Sequence, residues 1–193
     1  MKGSRPLTRS QVKAVLAITD SIREKALLTL GFATGYRISE LLSLRVCDIS
    51  TNGVIHSHVT VKAGNTKTKE GRTVLLNSDA KKSLSVLVES LKAKGLDSNA
   101  PLFVSRKHVN GYAAISRQQA HKLLKGLFAL IGEFGNVSTH TLRKTFAKFI
   151  YDATGGKIEL VQIALGHKAI TSTVSYLSFN TGTIDTAIMT MEF

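Results

Sequence analysis

Apolar residues recur at intervals of three and four positions through most of the chain, which is the spacing of amphipathic helices. Thr8 and Gln11 form a capping-box pattern that predicts the start of a first helix. A second helix is predicted to begin at Asp20 and to end at Gly35, since glycine readily terminates helices. Further helices are predicted over residues 38–44, 79–94, 116–131, 140–154, 158–165 and 183–191.

Two stretches have the character of strands instead. Residues 54–61 are rich in β-branched side chains, and a similar pattern returns at 72–76 after a polar stretch with several lysines. The pair predicts an antiparallel hairpin with a basic tip. The expected fold class is therefore mainly α with a small antiparallel β-sheet (α+β), and residues 1–193 are expected to form a single domain.

The charge of the chain predicts a polyanionic partner. Lys and Arg number 26 against 13 Asp and Glu, which gives a net charge of +13. Nucleic acid is the commonest partner of so basic a protein. Residues 101–126 contain five basic residues and no acid, whereas no Lys or Arg follows Lys168. The tail is therefore expected to face protein rather than DNA.

Other features narrow the class of protein. No apolar run approaches the length of a membrane span, and the first residues do not resemble a secretory signal. The single cysteine, Cys47, rules out an internal disulfide, fits a reducing cytoplasm and is expected to be a buried, inert thiol. Tyr36, Tyr112 and Tyr151 are expected to be packing residues.

The most informative chemistry lies between residues 140 and 176. His140 and Arg143 are three apart on a predicted helix, so both side chains can reach one ligand. A Leu-Gly-His sequence places His167 just beyond the next helix, and Tyr176 follows nine residues later. Two histidines, an arginine and a tyrosine suit an anionic phosphate better than a metal or an acyl group.

This series resembles the catalytic signature of the tyrosine recombinases, the phage-integrase family. Two upstream stretches extend the resemblance in the same order. Residues 34–45 (TGYRISELLSLR) resemble the first arginine box of that family, and residues 67–74 (KTKEGRTV) resemble its lysine-bearing hairpin. The resemblance covers roughly residues 5 to 190, and four ordered motifs are far more specific than any one of them.

The resemblance implies site-specific breakage and rejoining of DNA through a covalent 3′-phosphotyrosine. Tyr176 is the expected nucleophile, and arginine forks are suited to holding the phosphate because they stay charged and bind bidentately. The expected catalytic set is Arg37, Lys67, His140, Arg143, His167 and Tyr176. Arg37, Arg143 and His167 would hold the phosphate, His140 would assist proton transfer, and Lys67, or Lys69 in its place, would protonate the leaving oxygen. Glu40, three residues after Arg37, would orient that guanidinium.

Further basic residues are candidates for contact with DNA: Arg45, Lys69, Arg72, Arg106, Lys107, Arg117, Lys122 and Lys144. Arg45 is alternatively a structural residue. Lys144 departs from the family pattern, which often has a second histidine at that place, but it retains a cation. His56 and His58 share a strand face without a third ligand nearby, so no metal or other cofactor is expected.

The resemblance also bears on assembly and domain organisation. It implies a homotetramer on double-stranded DNA in which each C-terminal tail is exchanged with a neighbour, in the cytoplasm at the nucleoid. The chain resembles only the catalytic domain, without the N-terminal core-binding domain of the family, so a fragment and a minimal recombinase both remain open. Two other functions also stay open: a non-catalytic DNA-binding accessory protein or regulator, and a type IB topoisomerase-like enzyme.

Overall fold

A computed structural model describes residues 4–62, 71–105 and 112–177 together with Met189, except for the side chain of Ser175. The chain divides into two compact units, Met1–Phe146 and Ala147–Phe193. The described helices are α1 (Arg9–Ala17), α2 (Ile22–Thr34), α3 (Ile38–Leu42), α4 (Val46–Ile49), α5 (Ser78–Ala93), α6 (Arg117–Leu130), α7 (Thr139–Ala153), α8 (Ile158–Leu165) and α9 (Ile170–Leu177). The described strands form two short antiparallel sheets, so the predicted fold class is confirmed.

Local capping explains where several helices begin. The Thr8 side chain accepts from the Gln11 backbone N–H while the Gln11 side chain accepts from that of Thr8, which is the predicted capping box. The same reciprocal pair joins Ser116 and Gln119 at α6. The prediction that Asp20 begins α2 is wrong. Ser21 precedes the first helical residue, and its carbonyl accepts the first α2 hydrogen bond, from Lys25 N–H at 2.8 Å.

The predicted hairpin consists of β3 (His58–Val61) and β4 (Arg72–Leu75), with Val61 opposite Arg72 and His58 opposite Leu75. A smaller hairpin, β1 (Ser50–Thr51) with β2 (Val54–Ile55), precedes it and was not predicted as a pair. Its turn residues Asn52 and Gly53 both have positive φ, at 53° and 84°, as tight hairpin turns require. Strands of two residues are too short to leave a periodic pattern in the sequence.

Helix α2 is the central element of the first unit. Leu27, Leu28 and Leu30 are fully buried, and half of the other residues of α2 are buried too, because other elements pack around it on several sides. α7 packs against α2 at two glycines. A Cβ added to Gly31 would lie 2.7 Å from Leu142 Cδ1, and one added to Gly35 would lie 2.3 Å from Phe146 Cδ1. The absence of side chains at these positions therefore lets the two helices approach closely.

Two packing predictions fail in the first unit. Cys47 is exposed, because the single turn of α4 directs Val46 and Ile49 inward and leaves the thiol between them outside. Tyr112 is 49% exposed, whereas Tyr36 is fully buried as expected. In the part of the chain that the structure describes, no helix is both long and apolar enough to cross a membrane.

The second unit contains the end of α7, α8 and α9. Gly155 and Gly156 follow α7 with φ of 65° and 85°, and Gly166 ends α8 in the left-handed conformation, as the glycines predicted. α9 is the short element expected to carry Tyr176. Apart from Met189, the helix predicted over 183–191 lies outside the described residues.

Candidate active site

Arg37 lies at the turn between α2 and α3 and is held by a buried carboxylate. Gly35 ends α2 with φ +59°, and Arg37 immediately precedes the first turn of α3. Glu40 Oε2 accepts from the Arg37 backbone N–H at 2.7 Å, and Glu40 Oε1 accepts from Arg37 Nη1 at 2.8 Å. Glu40 is only 2% exposed. The ion pair expected from the spacing is present, and it fixes the position of the Arg37 guanidinium.

Arg143 reaches the same turn from α7. Its Nη1 donates to the backbone carbonyl of Gly35 at 2.6 Å, across 108 positions of sequence. The side chain is almost fully buried, with 1% exposure. Since Gly35 is two residues from Arg37, the two guanidiniums are brought to one turn of the first unit. Two arginine side chains that are held at one turn from different elements can bind one anionic group.

The side chain of a third arginine, Arg72 of β4, also contacts this turn. Arg72 Nη2 donates to the Thr34 carbonyl at 2.8 Å, and the guanidinium lies 4.3 Å from the centroid of the Tyr36 ring. The Tyr36 hydroxyl lies 2.8 Å from the Val59 carbonyl oxygen and 2.6 Å from that of Arg72, so its proton is donated to the backbone of the β3–β4 hairpin. We call this pair of reciprocal contacts the Tyr36–Arg72 clasp.

Burial explains the electrostatics of the clasp. It raises the pKa of Tyr36 to about 12, against a smaller opposing effect of the Arg72 charge. Burial is also the largest cause that lowers the pKa of Arg72, and the nearby Arg37 adds to the lowering. The contact of Arg72 with DNA stays a prediction, and the structure adds partners for this side chain inside the protein. The sequence could not show this, because the partners of Arg72 lie 36 and 38 positions away.

The first turns of α7 carry two more of the predicted residues. His140 is exposed, and its backbone N–H donates to Ser138 Oγ at 3.2 Å. Lys144 is partly buried, which lowers the pKa of its ammonium group. The Leu7 backbone N–H donates to Thr145 Oγ1 at 2.9 Å and attaches α7 to the start of the chain.

In the second unit, His167 and Tyr176 are adjacent in space. The His167 backbone N–H donates to the Gln162 carbonyl at 3.1 Å, which closes the αL turn at Gly166 onto the end of α8. His167 Nδ1 lies 3.0 Å from the hydroxyl of Thr173, which is fully buried. The rings of His167 and Tyr176 are 5.2 Å apart and inclined at 67°, an edge-to-face contact. The nine-residue spacing thus corresponds to a real pairing of an imidazole with a phenol.

A polar cleft of about 510 Å³ lies in the first unit beside the N-terminal part of α6. It is lined by Ile38, Arg117, Gln118, His121 and Thr139, the last of which is next to His140. Lys122, although close in sequence to Arg117, lines a different cavity with Leu123 and Leu130. Gln118 and His121 were missed in the sequence. The available signal was the four-residue spacing of Arg117 and His121, which places them on one side of α6.

Most of the remaining predicted residues lie outside the described part of the chain. These are Lys67, Lys69, Arg106 and Lys107. Arg45 is exposed, and its Nη1 donates to the Asn99 carbonyl at 2.5 Å, which is a structural contact. Within the described ranges, no group of three or more His, Cys, Asp or Glu side chains is arranged to hold a metal ion.

Comparison with known proteins shows which family the chain resembles in sequence. A sequence model of the phage integrase family matches residues 5–182. The chain is 36% identical over 160 residues to the tyrosine recombinase XerD of Oceanobacillus iheyensis, which covers 81% of this chain and 50% of the relative. It is 30% identical over 179 residues to the probable integrase/recombinase YoeC of Bacillus subtilis, with 93% of this chain and 90% of that protein covered.

The fold comparison gives the same result. The chain is similar to the crystal structure of XerA recombinase with a TM-score of 0.79 at 22% identity, over 100% of this chain and 66% of that one. The chain spans about half the length of XerD but nearly the whole of YoeC. The family match includes the arginine box, the hairpin and the stretch from His140 to Tyr176. This chain therefore belongs to the phage integrase family.

Proposed function

We propose that this chain cleaves and rejoins double-stranded DNA as the catalytic part of a site-specific tyrosine recombinase. The observation that carries the proposal is that Arg37 and Arg143 are both held at the turn after α2, Arg37 by the buried Glu40 and Arg143 by the Gly35 carbonyl. Guanidiniums held before the substrate arrives stabilise the charge that develops on a phosphate without reorganisation during the reaction. Membership of the phage integrase family supports this chemistry over simple phosphate binding.

In the proposed reaction, the Tyr176 oxygen attacks the phosphorus and forms a P–O bond with it. The phosphorus stays attached to the 3′ oxygen of the cleaved strand. The P–O5′ bond breaks, and the leaving 5′ oxygen takes a proton from Lys67. His140 accepts the proton of the tyrosine, while His167, with Arg37 and Arg143, binds the non-bridging oxygens. Rejoining is the reverse reaction with the 5′ hydroxyl of another strand. The proposal requires the two units to assemble around one phosphate of the duplex.

The contacts in the second unit support the role of Tyr176. A phenol with an ordinary pKa near 10 is mostly protonated at neutral pH and needs nearby proton acceptors or positive charge to react. The His167 ring is in edge contact with Tyr176, and its Nδ1 is held by Thr173, which fixes the ring in one orientation.

We further propose that DNA runs along the side of α6 that carries the polar cleft. Arg117 and His121 face this cleft, and Thr139 connects it to the start of α7 beside His140. A tetramer on two DNA sites, with the C-terminal tail exchanged between protomers, would bring four such sites together at the nucleoid in the cytoplasm. The absence of basic residues after Lys168 supports a tail that contacts protein.

The covalent intermediate provides the direct test. The protein is incubated with a pool of nicked duplexes of random sequence. Cleavage near the nick releases a short fragment that diffuses away, so the strand cannot be rejoined and the adduct accumulates. Adducts that survive detergent are captured, and the attached DNA is sequenced over successive rounds. We expect adducts with the wild-type protein and none with Tyr176→Phe, since only the phenolate forms the bond. Mass spectrometry after nuclease digestion should locate the nucleotide on Tyr176.

Tyr151→Phe is the matched control, because Tyr151 is a half-buried tyrosine of the same unit. It should form adducts at the wild-type level. DNA retention without any adduct would instead favour a non-catalytic DNA-binding protein. Relaxation of supercoiled plasmids of unrelated sequence, without recombinant products, would favour the topoisomerase-like activity.

A further inference from the structure

We infer that Tyr36 and Arg72 are positioning residues that hold the lysine-bearing hairpin against the arginine box and thereby control protonation of the leaving group. The inference rests on the proposed function and adds a requirement to it. Neither residue is proposed to contact the phosphate. Both act through the backbone on which the catalytic cations are carried.

The clasp joins two motifs that are distant in sequence through contacts in both directions. The Tyr36 side chain extends from the arginine box to the hairpin, where its hydroxyl meets carbonyls of both strands, Val59 on β3 and Arg72 on β4. The Arg72 side chain extends back from the hairpin to the carbonyl of Thr34. The guanidinium covers the Tyr36 ring between these two links.

Burial makes the clasp rigid. Tyr36 has no exposed surface, so loss of its hydroxyl would leave two hairpin carbonyls without that donor in a site where solvent cannot replace it. The links also leave the hairpin little freedom to slide, because they attach to both of its strands. By contrast, the hydrogen bond between the hydroxyls of Thr60 and Thr73 lies on the exposed side of the same hairpin.

The position of Arg72 along the chain connects the clasp to the segment that contains the proposed acid. Val61 is the last residue of β3 and Arg72 is the first of β4, and the two are paired across the sheet. The sequence between them contains Lys67 and Lys69. The clasp therefore contacts Arg72 at one end of the segment that carries the proposed acid and Val59 near its other end. It links both to the turn that carries Arg37. A misplacement of about 1 Å in such a group can cost roughly 100-fold in rate.

A sulfur substitution separates an effect on the acid from any other effect. In the ordinary substrate, the 5′ oxygen needs a proton as the P–O5′ bond breaks. If sulfur replaces that oxygen, the P–S bond breaks to give a thiolate, which leaves without a proton because thiols are far more acidic than alcohols. A variant that has lost only the correct position of the acid will therefore be slow on oxygen and restored on sulfur.

The experiment compares single-turnover adduct formation on two nicked duplexes of the sequence recovered by adduct capture, one with oxygen and one with sulfur at the 5′ bridging position. We expect Tyr36→Phe to react about 10- to 100-fold more slowly on oxygen and within about threefold of wild type on sulfur, as general acids contribute factors of this order or more. Lys67→Ala should show the same pattern and provides the benchmark. Arg72→Lys, which keeps the charge but loses the planar fork, should follow Tyr36→Phe.

Thr73→Val is the control, because it removes a hydrogen bond from the exposed face of the hairpin and leaves the clasp intact. It should match wild type on both substrates. Equal slowing of Tyr36→Phe on oxygen and sulfur would overturn the inference, since the clasp would then act through Arg37 or through the fold. Wild-type rates for Tyr36→Phe on oxygen would overturn it as well. Failure of the wild-type protein on both duplexes would instead refute the proposed function.

Discussion

At the scale of single residues, burial decides how firmly a carboxylate holds a neighbouring arginine side chain. Arg37–Glu40 and Arg45–Asp48 have the same spacing, and in both a carboxylate accepts from the backbone N–H of the arginine three residues earlier. Glu40 is 2% exposed and also accepts from the Arg37 guanidinium. Arg45 is exposed, and its guanidinium donates to Asn99 instead. The first pair fixes a proposed catalytic group, whereas the second mainly caps a short helix.

This difference predicts unequal costs of removing the two carboxylates. Glu40→Ala should lower the free energy of unfolding by about 3 kcal/mol, because it leaves a largely buried guanidinium without its counter-ion. Asp48→Ala should lower it by about 1 kcal/mol, the usual cost of losing a cap near the surface. Urea unfolding followed by circular dichroism measures both. Equal losses would show that burial does not distinguish the two pairs.

The sequence predicted the Arg37–Glu40 pair because both partners lie within one helical turn. It could not predict the burial of Glu40, which depends on the elements packed around it. It assigned Arg72 to DNA, since a basic residue near a polar hairpin tip is usually solvated. The Tyr36 ring and the Thr34 carbonyl that bind Arg72 come from another motif, and only the fold brings them within reach.

At the scale of elements, two glycines set how closely α7 approaches α2. Gly31 and Gly35 are four apart, as are Leu142 and Phe146, which face them. The sequence identified Gly35 as the end of a helix from its type alone. Its second role, to make room for Phe146, depends on a helix more than 100 positions away and leaves no local pattern. The same glycine accepts the hydrogen bond from Arg143.

Substitution of these glycines should separate close packing from helix propensity. Gly35→Ala should destabilise most, by about 3 kcal/mol or more, because the new Cβ meets the Phe146 ring and φ is positive. Gly31→Ala should cost about 1 to 2 kcal/mol, as the end of Leu142 can rotate away. Thermal and urea unfolding measure the order of the effects.

Gly126→Ala is the control for this series, because Gly126 lies within α6 and nothing lies within 4 Å of an added Cβ. It should stabilise the protein by about 0.5 to 1 kcal/mol through helix propensity. A similar destabilisation by all three substitutions would contradict close packing as the cause.

At the scale of the whole molecule, the order of motifs along the chain was sufficient to predict the family and the fold class. The net charge of +13 predicted a polyanionic partner but could not say which surface meets it. Basic residues spread along α6 look equivalent in the sequence. The fold separates them, since Arg117 lines the polar cleft beside Ile38 and Thr139, whereas Lys122 lines another cavity.

Salt dependence of DNA binding should distinguish these two surfaces. Each phosphate contact that a protein makes adds roughly 0.9 to the slope of the logarithm of affinity against the logarithm of salt concentration. Arg117→Gln should therefore make the slope shallower by about 1 on random-sequence duplex DNA, while Lys122→Gln should change it by much less. Both substitutions remove one positive charge from the same helix, so a long-range effect of net charge would reduce the two slopes equally. Fluorescence anisotropy at several salt concentrations measures the slopes, and an equal reduction would mean that the cleft side of α6 is not the side that faces DNA.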